Sequence, residues 1–283
     1  MTGVEATPRR LWRFVLARFP LPVYAGYGVL WALAFEGAAT TGPWLPSSGS
    51  AVRAGTVVAT LLFLRMLDEQ KDLAYDRVHN PDRPLVAGAV TGGELRAAMA
   101  VLALAAVGMN TVLSATAAAL AAAPLAYGLF LAALERWSAT VRDDLLVNLV
   151  VTYPVQIVIG VYLCCSLDGT GPLAALLALF AGVFLHFEIA RKTAWHPGPG
   201  ERSYSAVLGP RASTVLALAF AALATVFAAV VCGPRWWLPL PAVFAVAGGS
   251  LFLVRRKENW PVPCAMAFVL AMLGCLIVHA LTR

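Results

Sequence analysis

The stretch RMLDEQKDLAYDRVHNPDRPLVAG, residues 65–88, places four carboxylates directly after an apolar run. The four are Asp68, Glu69, Asp72 and Asp76, and the run before them reads AVRAGTVVATLLFL, residues 51–64. Ionisable groups at membrane depth are costly and usually mark a functional cavity. The stretch therefore indicates where a functional site is to be sought, provided that the apolar run lies in a membrane.

The composition of the whole chain is that of an integral membrane protein. Hydrophobic residues make up 60% of the 283 residues and charged residues 13%, with a mean hydropathy of +0.77. Ordinary soluble domains carry about 25% charged residues. Several stretches reach the roughly 20 apolar residues that a helix needs to cross a bilayer, and the alternating pattern of a membrane β-barrel is absent from the sequence. The sequence therefore predicts an all-α membrane fold.

The apolar stretches predict nine transmembrane helices, separated by clusters of breakers such as TTGPWLPSSG, CGPRWW and ENWPVP. Before them, RRLWRFVLARF mixes arginine with aromatic residues and leucine, which is typical of a helix on the membrane surface. We therefore divide the chain into an amphipathic interfacial segment, residues 1–20, and a transmembrane domain, residues 21–283. The predicted spans are residues 21–39, 51–68, 95–112, 115–134, 144–165, 172–191, 212–232, 236–254 and 262–281.

Arginine and lysine are distributed unevenly over the loops of this arrangement. If the N-terminus is cytoplasmic, 18 of the 21 lie on the cytoplasmic side, and only Arg53, Arg235 and Arg283 lie outside. Such an excess orients membrane proteins, so we expect a cytoplasmic N-terminus. It also accounts for much of the net charge of +6 without nucleic-acid binding. The ratio of 18 Arg to 3 Lys and the abundant alanine suggest a GC-rich bacterial genome, and hence the bacterial inner membrane.

On a helix, Asp68, Asp72 and Asp76 form one stripe because they recur at every fourth residue, and Glu69 lies beside it. Like charges at this spacing repel each other by roughly a few tenths of a kcal/mol per pair, so a cation must offset them. The donors are all oxygen, which favours Mg²⁺ over Zn²⁺, and Mg²⁺ commonly binds phosphate oxygens as well. The cations in the stretch either neutralise a solvated helix end or bind a diphosphate; they are Arg65, Lys71, Arg77 and Arg83.

The stretch resembles the first signature of the UbiA-type intramembrane prenyltransferases, N-D-x-x-D-x-x-x-D with a D-R-P-hydrophobic-x-x-G tail. Residues 68–88 follow it, with Asp68 in place of Asn and Glu69 in place of the first Asp. The resemblance implies a UbiA-type bundle of nine helices with a central cavity open to the cytoplasmic side. It also implies a prenyl diphosphate substrate and Mg²⁺ as cofactor, held by Asp68, Glu69, Asp72 and Asp76.

Members of that family usually carry a second aspartate-rich run at the end of the sixth span, and here the sequence departs from the pattern. The region reads HFEIARKTAWHPGPGERSYSAVLG, residues 186–209, and contains no Asp. We expect Glu188 to remain as a metal ligand or ion-pair partner, and Arg191 or Lys192 to contact the diphosphate directly. The alternative is that Arg191 and Lys192 only anchor the helix end at the membrane surface.

Cleavage of an allylic carbon–oxygen bond leaves diphosphate and a resonance-stabilised cation, so Mg²⁺ and Arg or Lys side chains must stabilise the leaving group. The carboxylates then hold metal and need not act as bases. Aromatic faces in an intramembrane cavity can stabilise the cation, although each such residue is equally explained by packing. The pocket candidates are Tyr24, Tyr27, Tyr127, Tyr153, Phe184 and Phe187, with Asn148 as a contact for diphosphate or acceptor.

Three functions remain open from the sequence. The leading one is a transferase that joins the prenyl group to an aromatic or lipid acceptor. The second is a membrane terpene cyclase, in which a distal double bond of the same substrate traps the cation. The third is a transporter, which is the weakest because the carboxylates cluster at one membrane face without a matching set in a second half of the chain.

Overall fold

The computed structural model describes residues 6–167, 171–198 and 202–283, and within these ranges all regular structure is helical apart from an isolated bridge between Ala194 and Asn259. The predicted all-α class is therefore confirmed. The chain forms two compact units, Met1–Ala32 with Ser47–Trp137, and Leu33–Pro46 with Ser138–Arg283. The predicted division between residues 1–20 and 21–283 stays a prediction.

The first unit begins with a short helix and contains four long ones. Its helices are α1 (Thr7–Arg18), α2 (Leu21–Ala39, with residues 33–39 in the second unit), α3 (Ser48–Lys71), α4 (Leu73–His79), α5 (Gly92–Asn110) and α6 (Ala115–Trp137). Capping boxes begin α3 and α5, because the side chains of Ser47 and Thr91 accept hydrogen bonds from the N–H groups of Ser50 and Glu94.

The core of the first unit fixes the end of α3. Helix α3 packs against α5 and α6, and Phe63 and Met66 near its end join a buried cluster with Leu95 and Met99 of α5. Helix α6 comes close to α3 at Gly128, where a Cβ would lie 2.5 Å from a methyl carbon of Leu64. The residues that follow Met66 therefore extend from a tightly held helix end.

Helix α1 is part of this core. Its Phe14 and Val15 are buried in the same cluster, whereas Trp12 and Leu16 on the other side are 52% and 51% exposed. Arg10 adds an ion pair, since its guanidinium lies 2.5 Å from a carboxylate oxygen of Glu94. One face of α1 thus packs on protein, and its other face keeps the apolar side chains that a membrane surface would accept.

The second unit contains eight further helices among the described residues. They are α7 (Ala139–Asp143), α8 (Leu145–Thr152), α9 (Pro154–Cys165), α10 (Leu173–Arg191), α11 (Tyr204–Leu208), α12 (Pro210–Cys232), α13 (Ala242–Leu253) and α14 (Val262–Leu281). Helix α10 is central to this unit, because it packs against α9, α12 and α14.

The α10–α12 pair is held together by small residues. The buried positions of α12 are Ser213, Thr214, Ala217, Ala221, Ala224, Ala228 and Cys232. Gly182 of α10 faces this stripe, and a Cβ there would lie 2.7 Å from the carbonyl oxygen of Phe220 and 2.8 Å from the nitrogen of Ala224. Small residues let membrane helices approach until their backbones touch, so this pair fixes the position of α10 and of the charged residues at its end.

Seven helical segments in the described part of the chain are long and apolar enough to cross a membrane, which makes the chain an integral membrane protein. They are Ser48–Lys71, Gly92–Asn110, Ala115–Trp137, Leu145–Cys165, Leu173–Arg191, Pro210–Cys232 and Val262–Leu281. The other two predicted spans correspond to α2, which has 19 residues and contains Glu36, and to α13, which has only 12 residues. The count of nine therefore stays a prediction.

Prolines account for two differences from the predicted spans. The span predicted at residues 144–165 is interrupted between α8 and α9 at Pro154, because proline has no N–H and its ring clashes with the preceding turn. The span predicted at residues 236–254 becomes helical only at Ala242, after Pro239 and Pro241. In both places an apolar run long enough for a span contains a local break.

Candidate functional site

The three aspartates of the first motif keep helical spacing although α3 ends before α4 begins. The N–H of Asp72 donates to the carbonyl of Asp68 at 2.9 Å, and the N–H of Asp76 donates to the carbonyl of Asp72 at 2.9 Å. Asp72, at the junction, has φ −87° and ψ 7°, so the chain turns only slightly there. Asp68, Asp72 and Asp76 consequently lie along one face of a nearly continuous helix.

Glu69 is the most heavily paired carboxylate of the group. It is 2% exposed, and its Oε1 lies 2.7 Å from Nε of Arg18, 3.2 Å from a terminal nitrogen of Arg65 and 3.9 Å from one of Arg83. Its Oε2 is buried without a hydrogen-bond partner among the described residues. Three guanidinium groups therefore converge on one oxygen of Glu69, while the hydrogen-bonding capacity of the other is unused in that part of the chain.

Asp76 is also buried and paired. It is 1% exposed, accepts a hydrogen bond from the side-chain amide of Asn80 at 2.9 Å and forms an ion pair with Arg83. Arg83 lies in the D-R-P tail of the motif, which begins a series of turns after α4. The tail therefore bends back so that its arginine lies between Asp76 and Glu69.

A second set of contacts surrounds Lys71. Its Nζ lies 3.0 Å from Oε1 of Glu135, at the end of α6, and 3.5 Å from Oδ1 of Asp68. Glu135 is 3% exposed, whereas half of the Asp68 side chain is exposed. Lys71 thus bridges two helices of the first unit, and Asp68 keeps an accessible carboxylate oxygen.

Asp72 is half-buried, and among the described residues no cationic nitrogen lies within 4 Å of its carboxylate. Burial raises the pKa of Asp72 above its ordinary value, and the negative charges of Asp68 and Asp76 add to this effect while Lys71 opposes it. A bound divalent cation would relieve both the burial cost and the repulsion. Asp72 is therefore the carboxylate of the motif whose surroundings most favour a metal.

The group fits a magnesium ion that is held jointly with a substrate. Within residues 6–167, 171–198 and 202–283, no three His, Cys, Asp or Glu side chains converge closely enough to form a metal cage. Mg²⁺ does not need one, since it usually takes one or two carboxylates and completes its shell with water and phosphate oxygens. Asp72 and Asp68 offer such a pair, and the unpartnered Oε2 of Glu69 is a further oxygen donor.

The candidates at the end of α10 pair with one another. Glu188 lies 2.5 Å from Arg191 and 2.7 Å from Lys192, so each of its oxygens has a cationic partner. Nζ of Lys192 also lies 5.7 Å from the centre of the Tyr204 ring, and burial together with the charge of Glu188 raises the pKa of Tyr204. Tyr204 therefore stays a neutral phenol. Arg191 and Lys192 together carry one more charge than Glu188 neutralises, so the end of α10 has a net positive charge.

The remaining candidates have local contacts in their own units. In the first unit, Tyr24 stacks on Phe19 with ring centres 5.0 Å apart, and Arg77 is exposed. The other first-unit contacts pair Tyr27 with Trp31 and Tyr127 with Phe130. In the second unit, Asn148 donates to the carbonyl of Val141 at 3.0 Å, Tyr153 lies at the α8–α9 break, Phe184 packs against Phe180, and Arg191 lies over Phe187. Their role in a pocket stays a prediction.

Two important contacts were missed from the sequence. Glu135 ends an apolar run as Asp68 does, so the same signal would have identified it. Arg18 was assigned only to the inner membrane surface, and no local pattern connects it to Glu69, which is 51 residues away. Both residues belong to the site because of tertiary packing in the first unit.

Solved structures share this fold over nearly the whole chain, although no family model and no curated protein sequence matches it. One is of digeranylgeranylglyceryl phosphate synthase, studied in membranes, with a TM-score of 0.65 over 97% of this chain and 100% of the other at 14% identity. Another is the apo structure of a UbiA homolog from Aeropyrum pernix K1, with a TM-score of 0.62 over 92% and 98% of the two chains at 20% identity. The chain therefore has the UbiA-type membrane fold that its first motif predicted, and its function must be argued from the site.

Proposed function

We propose that the chain is an intramembrane transferase that ionises an allylic prenyl diphosphate with the help of Mg²⁺ and joins the prenyl group to an acceptor. The main support is the group of carboxylates and cations at the end of α3, in which Asp72 is half-buried without an ion-pair partner in the described part of the chain. The UbiA-type fold of digeranylgeranylglyceryl phosphate synthase adds support at the level of the superfamily.

Each part of the group has a role in this proposal. Asp72 and Asp68 would hold Mg²⁺, which stabilises negative charge on the leaving diphosphate when it is bound. Glu69 and Asp76 orient Arg65 and Arg83, and N–H groups of those arginines that the carboxylates do not use would donate to diphosphate oxygens. Lys71, fixed by Glu135, adds a further positive charge beside Asp68.

The reaction balances without an oxidant or a reductant. The allylic carbon–oxygen bond breaks, and its electron pair leaves with the diphosphate. A nucleophilic atom of the acceptor, an aromatic or lipid molecule, then bonds to the allylic carbon and gives up a proton. Because Glu69 and Asp76 are paired with arginines and Asp68 and Asp72 would hold the metal, we assign none of them as the base.

We further propose that Arg191 and Lys192 supply positive charge to the diphosphate in place of a second aspartate-rich motif. The support is that Glu188 is neutralised by these two residues, so the end of α10 is cationic rather than metal-binding in character. Cationic clamps stabilise a developing diphosphate charge as a metal does.

The first test replaces Asp72 by Asn. The change keeps the side-chain size but removes the charge that would hold Mg²⁺, so magnesium-dependent diphosphate release should fall at least about a hundredfold, or about 2.7 kcal/mol in the barrier. Glu258→Gln is the control, because Glu258 is an exposed carboxylate outside both motifs. Retention of activity in Asp72→Asn, with both proteins folded, would reject the metal site.

The second test separates transfer from cyclisation. Purified protein is incubated with Mg²⁺ and ten-, fifteen- or twenty-carbon prenyl diphosphates in the absence of an acceptor, and the organic extract is analysed. A transferase should turn over slowly and release mainly solvolysis alcohols. Efficient formation of one cyclic terpene would instead identify a cyclase and would leave the ionising role of Asp72 intact.

A further inference from the structure

A cavity of about 660 Å³ lies in the second unit, beside the C-terminal half of α14 and the segment between α12 and α13. None of the residues discussed above for diphosphate or metal lines it. Its wall combines an apolar side on α14 with two arginines, Arg235 and Arg283, at one end. The cavity therefore needs an explanation separate from the proposed prenyl transfer.

The apolar side follows one face of α14. Ala271, Gly274, Cys275 and Val278 are spaced three and four residues apart, so they lie along one line of the helix. No atom lies within 4 Å of the position that a Cβ of Gly274 would occupy, which shows that this face is open. It extends from Ala271 to Val278, or about 10 Å along the helix axis, which suits part of an extended hydrocarbon chain.

The polar end is rich in hydrogen-bond donors and positive charge. Nε of Arg283 donates to Nε2 of His279 at 3.0 Å, and a terminal nitrogen of Arg283 donates to the carbonyl of Thr40. These two contacts hold the guanidinium in place beside the exposed Arg235. No Asp or Glu occurs among the described residues that line the cavity. The end is therefore complementary to an anion, and planar guanidinium groups match phosphate oxygens well.

The surroundings favour a membrane lipid as the source of the anion. Trp236 and Trp237 lie beside Arg235, and Trp236 is 83% exposed. Tryptophan is enriched where a membrane protein meets the lipid headgroups. We propose that the cavity binds an anionic phospholipid, with its phosphate at Arg235 and Arg283 and one acyl chain along the Ala271–Val278 face of α14. A free phosphate ion would use the arginine end alone.

The test measures lipid binding to the full chain in neutral detergent by native mass spectrometry. We expect dioleoyl-phosphatidylglycerol to bind at least about tenfold more tightly than dioleoyl-phosphatidylcholine, because only the first carries a net negative charge. Arg235→Gln should remove most of this preference. Arg211→Gln is the matched control, since Arg211 is an exposed arginine outside the cavity, and it should leave the preference unchanged.

A second variant tests the acyl-chain part and does not depend on the arginines. Gly274→Leu should occupy the open face of α14, where an added Cβ meets no atom within 4 Å, and weaken binding of the intact lipid several-fold. If Gly274→Leu has no effect and inorganic phosphate displaces the lipid completely, the site recognises a free anion and the lipid proposal is wrong. Equal binding of both lipids, or a preference that survives Arg235→Gln, would also overturn it.

Discussion

At the scale of single residues, Glu69 has an unusual environment for a membrane protein. Its side chain is nearly inaccessible, yet it lies close to Arg18, Arg65 and Arg83. Burial of a carboxylate without cationic partners would be strongly unfavourable. Three neighbouring arginines without a carboxylate between them would repel each other. The carboxylate and the arginines neutralise each other, and the resulting cluster holds positively charged groups in fixed positions close to the aspartates.

We predict that Glu69→Gln lowers the stability of the folded chain by about 2 kcal/mol, because it removes the charged acceptor of Arg18 and Arg65. Thermal unfolding in detergent provides the measurement, with the exposed Glu258→Gln as control. Combining Glu69→Gln with Arg18→Gln should cost less than the sum of the two single changes, since each already breaks the same ion pair. Strictly additive losses would contradict the proposed coupling of α1 to the motif.

For the second region, we predict that Lys192→Ala and Arg191→Ala each lower kcat for diphosphate release by roughly tenfold, about 1.4 kcal/mol in the barrier. Each change removes a positive charge from the end of α10, while the negative charge of Glu188 is still present. Lys257→Ala is the matched control, because Lys257 is an exposed lysine outside both motifs. If all three variants behave alike, Arg191 and Lys192 only anchor the helix end.

Sequence reasoning located the acids of the site because their pattern is local. A four-residue spacing after an apolar run specifies a helix face, and the main-chain hydrogen bonds from Asp68 to Asp76 preserve that face. The partners of the acids could not be deduced in this way. Arg18 reaches Glu69, and Glu135 reaches Lys71, from 51 and 64 residues away, and only packing brings them together.

At the scale of helices, the contact between α10 and α12 depends on the absence of side-chain volume. The buried face of α12 carries only small side chains, and Gly182 touches its backbone. Membrane helices gain no hydrophobic driving force from associating in lipid, so close packing has to supply much of the stability. This interface is therefore expected to be sensitive to a single added methyl group.

We predict that Gly182→Ala destabilises the chain by about 1–3 kcal/mol, because the new Cβ would overlap the backbone at Phe220 and Ala224. Gly26→Ala is the comparison: Gly26 lies inside α2 with no atom within 4 Å of a Cβ, and there alanine should be neutral or slightly stabilising. The thermal unfolding temperatures of both variants in detergent provide the measurement. A loss of stability in Gly26→Ala of the same size would show that the effect is not specific to the α10–α12 contact.

The helices themselves were predictable to within a few residues wherever an apolar run lacked internal proline. Span 262–281, for example, was predicted with the bounds that α14 has. The differences lie at Pro154, where the predicted span consists of two successive helices, and at Pro239 and Pro241, where the helix begins later than predicted. Hydropathy indicates that a segment favours the membrane but does not show where its helix is interrupted. Pro124 lies within the continuous helix α6, so a proline in an apolar run does not by itself end the helix.

At the scale of the whole molecule, the distribution of Arg and Lys over the loops predicts the orientation of the chain in the membrane. In a cysteine-free background, Gly42→Cys in the loop after α2 should react with a membrane-impermeant maleimide on intact bacterial cells. Asp82→Cys, in the loop after α4, should react only after the membrane is permeabilised, because the excess of Arg and Lys predicts a cytoplasmic position for that loop. The opposite labelling pattern would reverse the predicted topology.

The attachment of α1 also bears on how variants of this protein are made and interpreted. An affinity tag added ahead of Thr7 leaves the pairs Arg10–Glu94 and Arg18–Glu69 intact. A deletion that extends through Arg18 removes a counter-ion from a buried carboxylate some fifty residues later in the chain. Loss of turnover after such trimming would therefore combine an altered charge balance at Glu69 with the loss of Phe14 and Val15 from the core of the first unit.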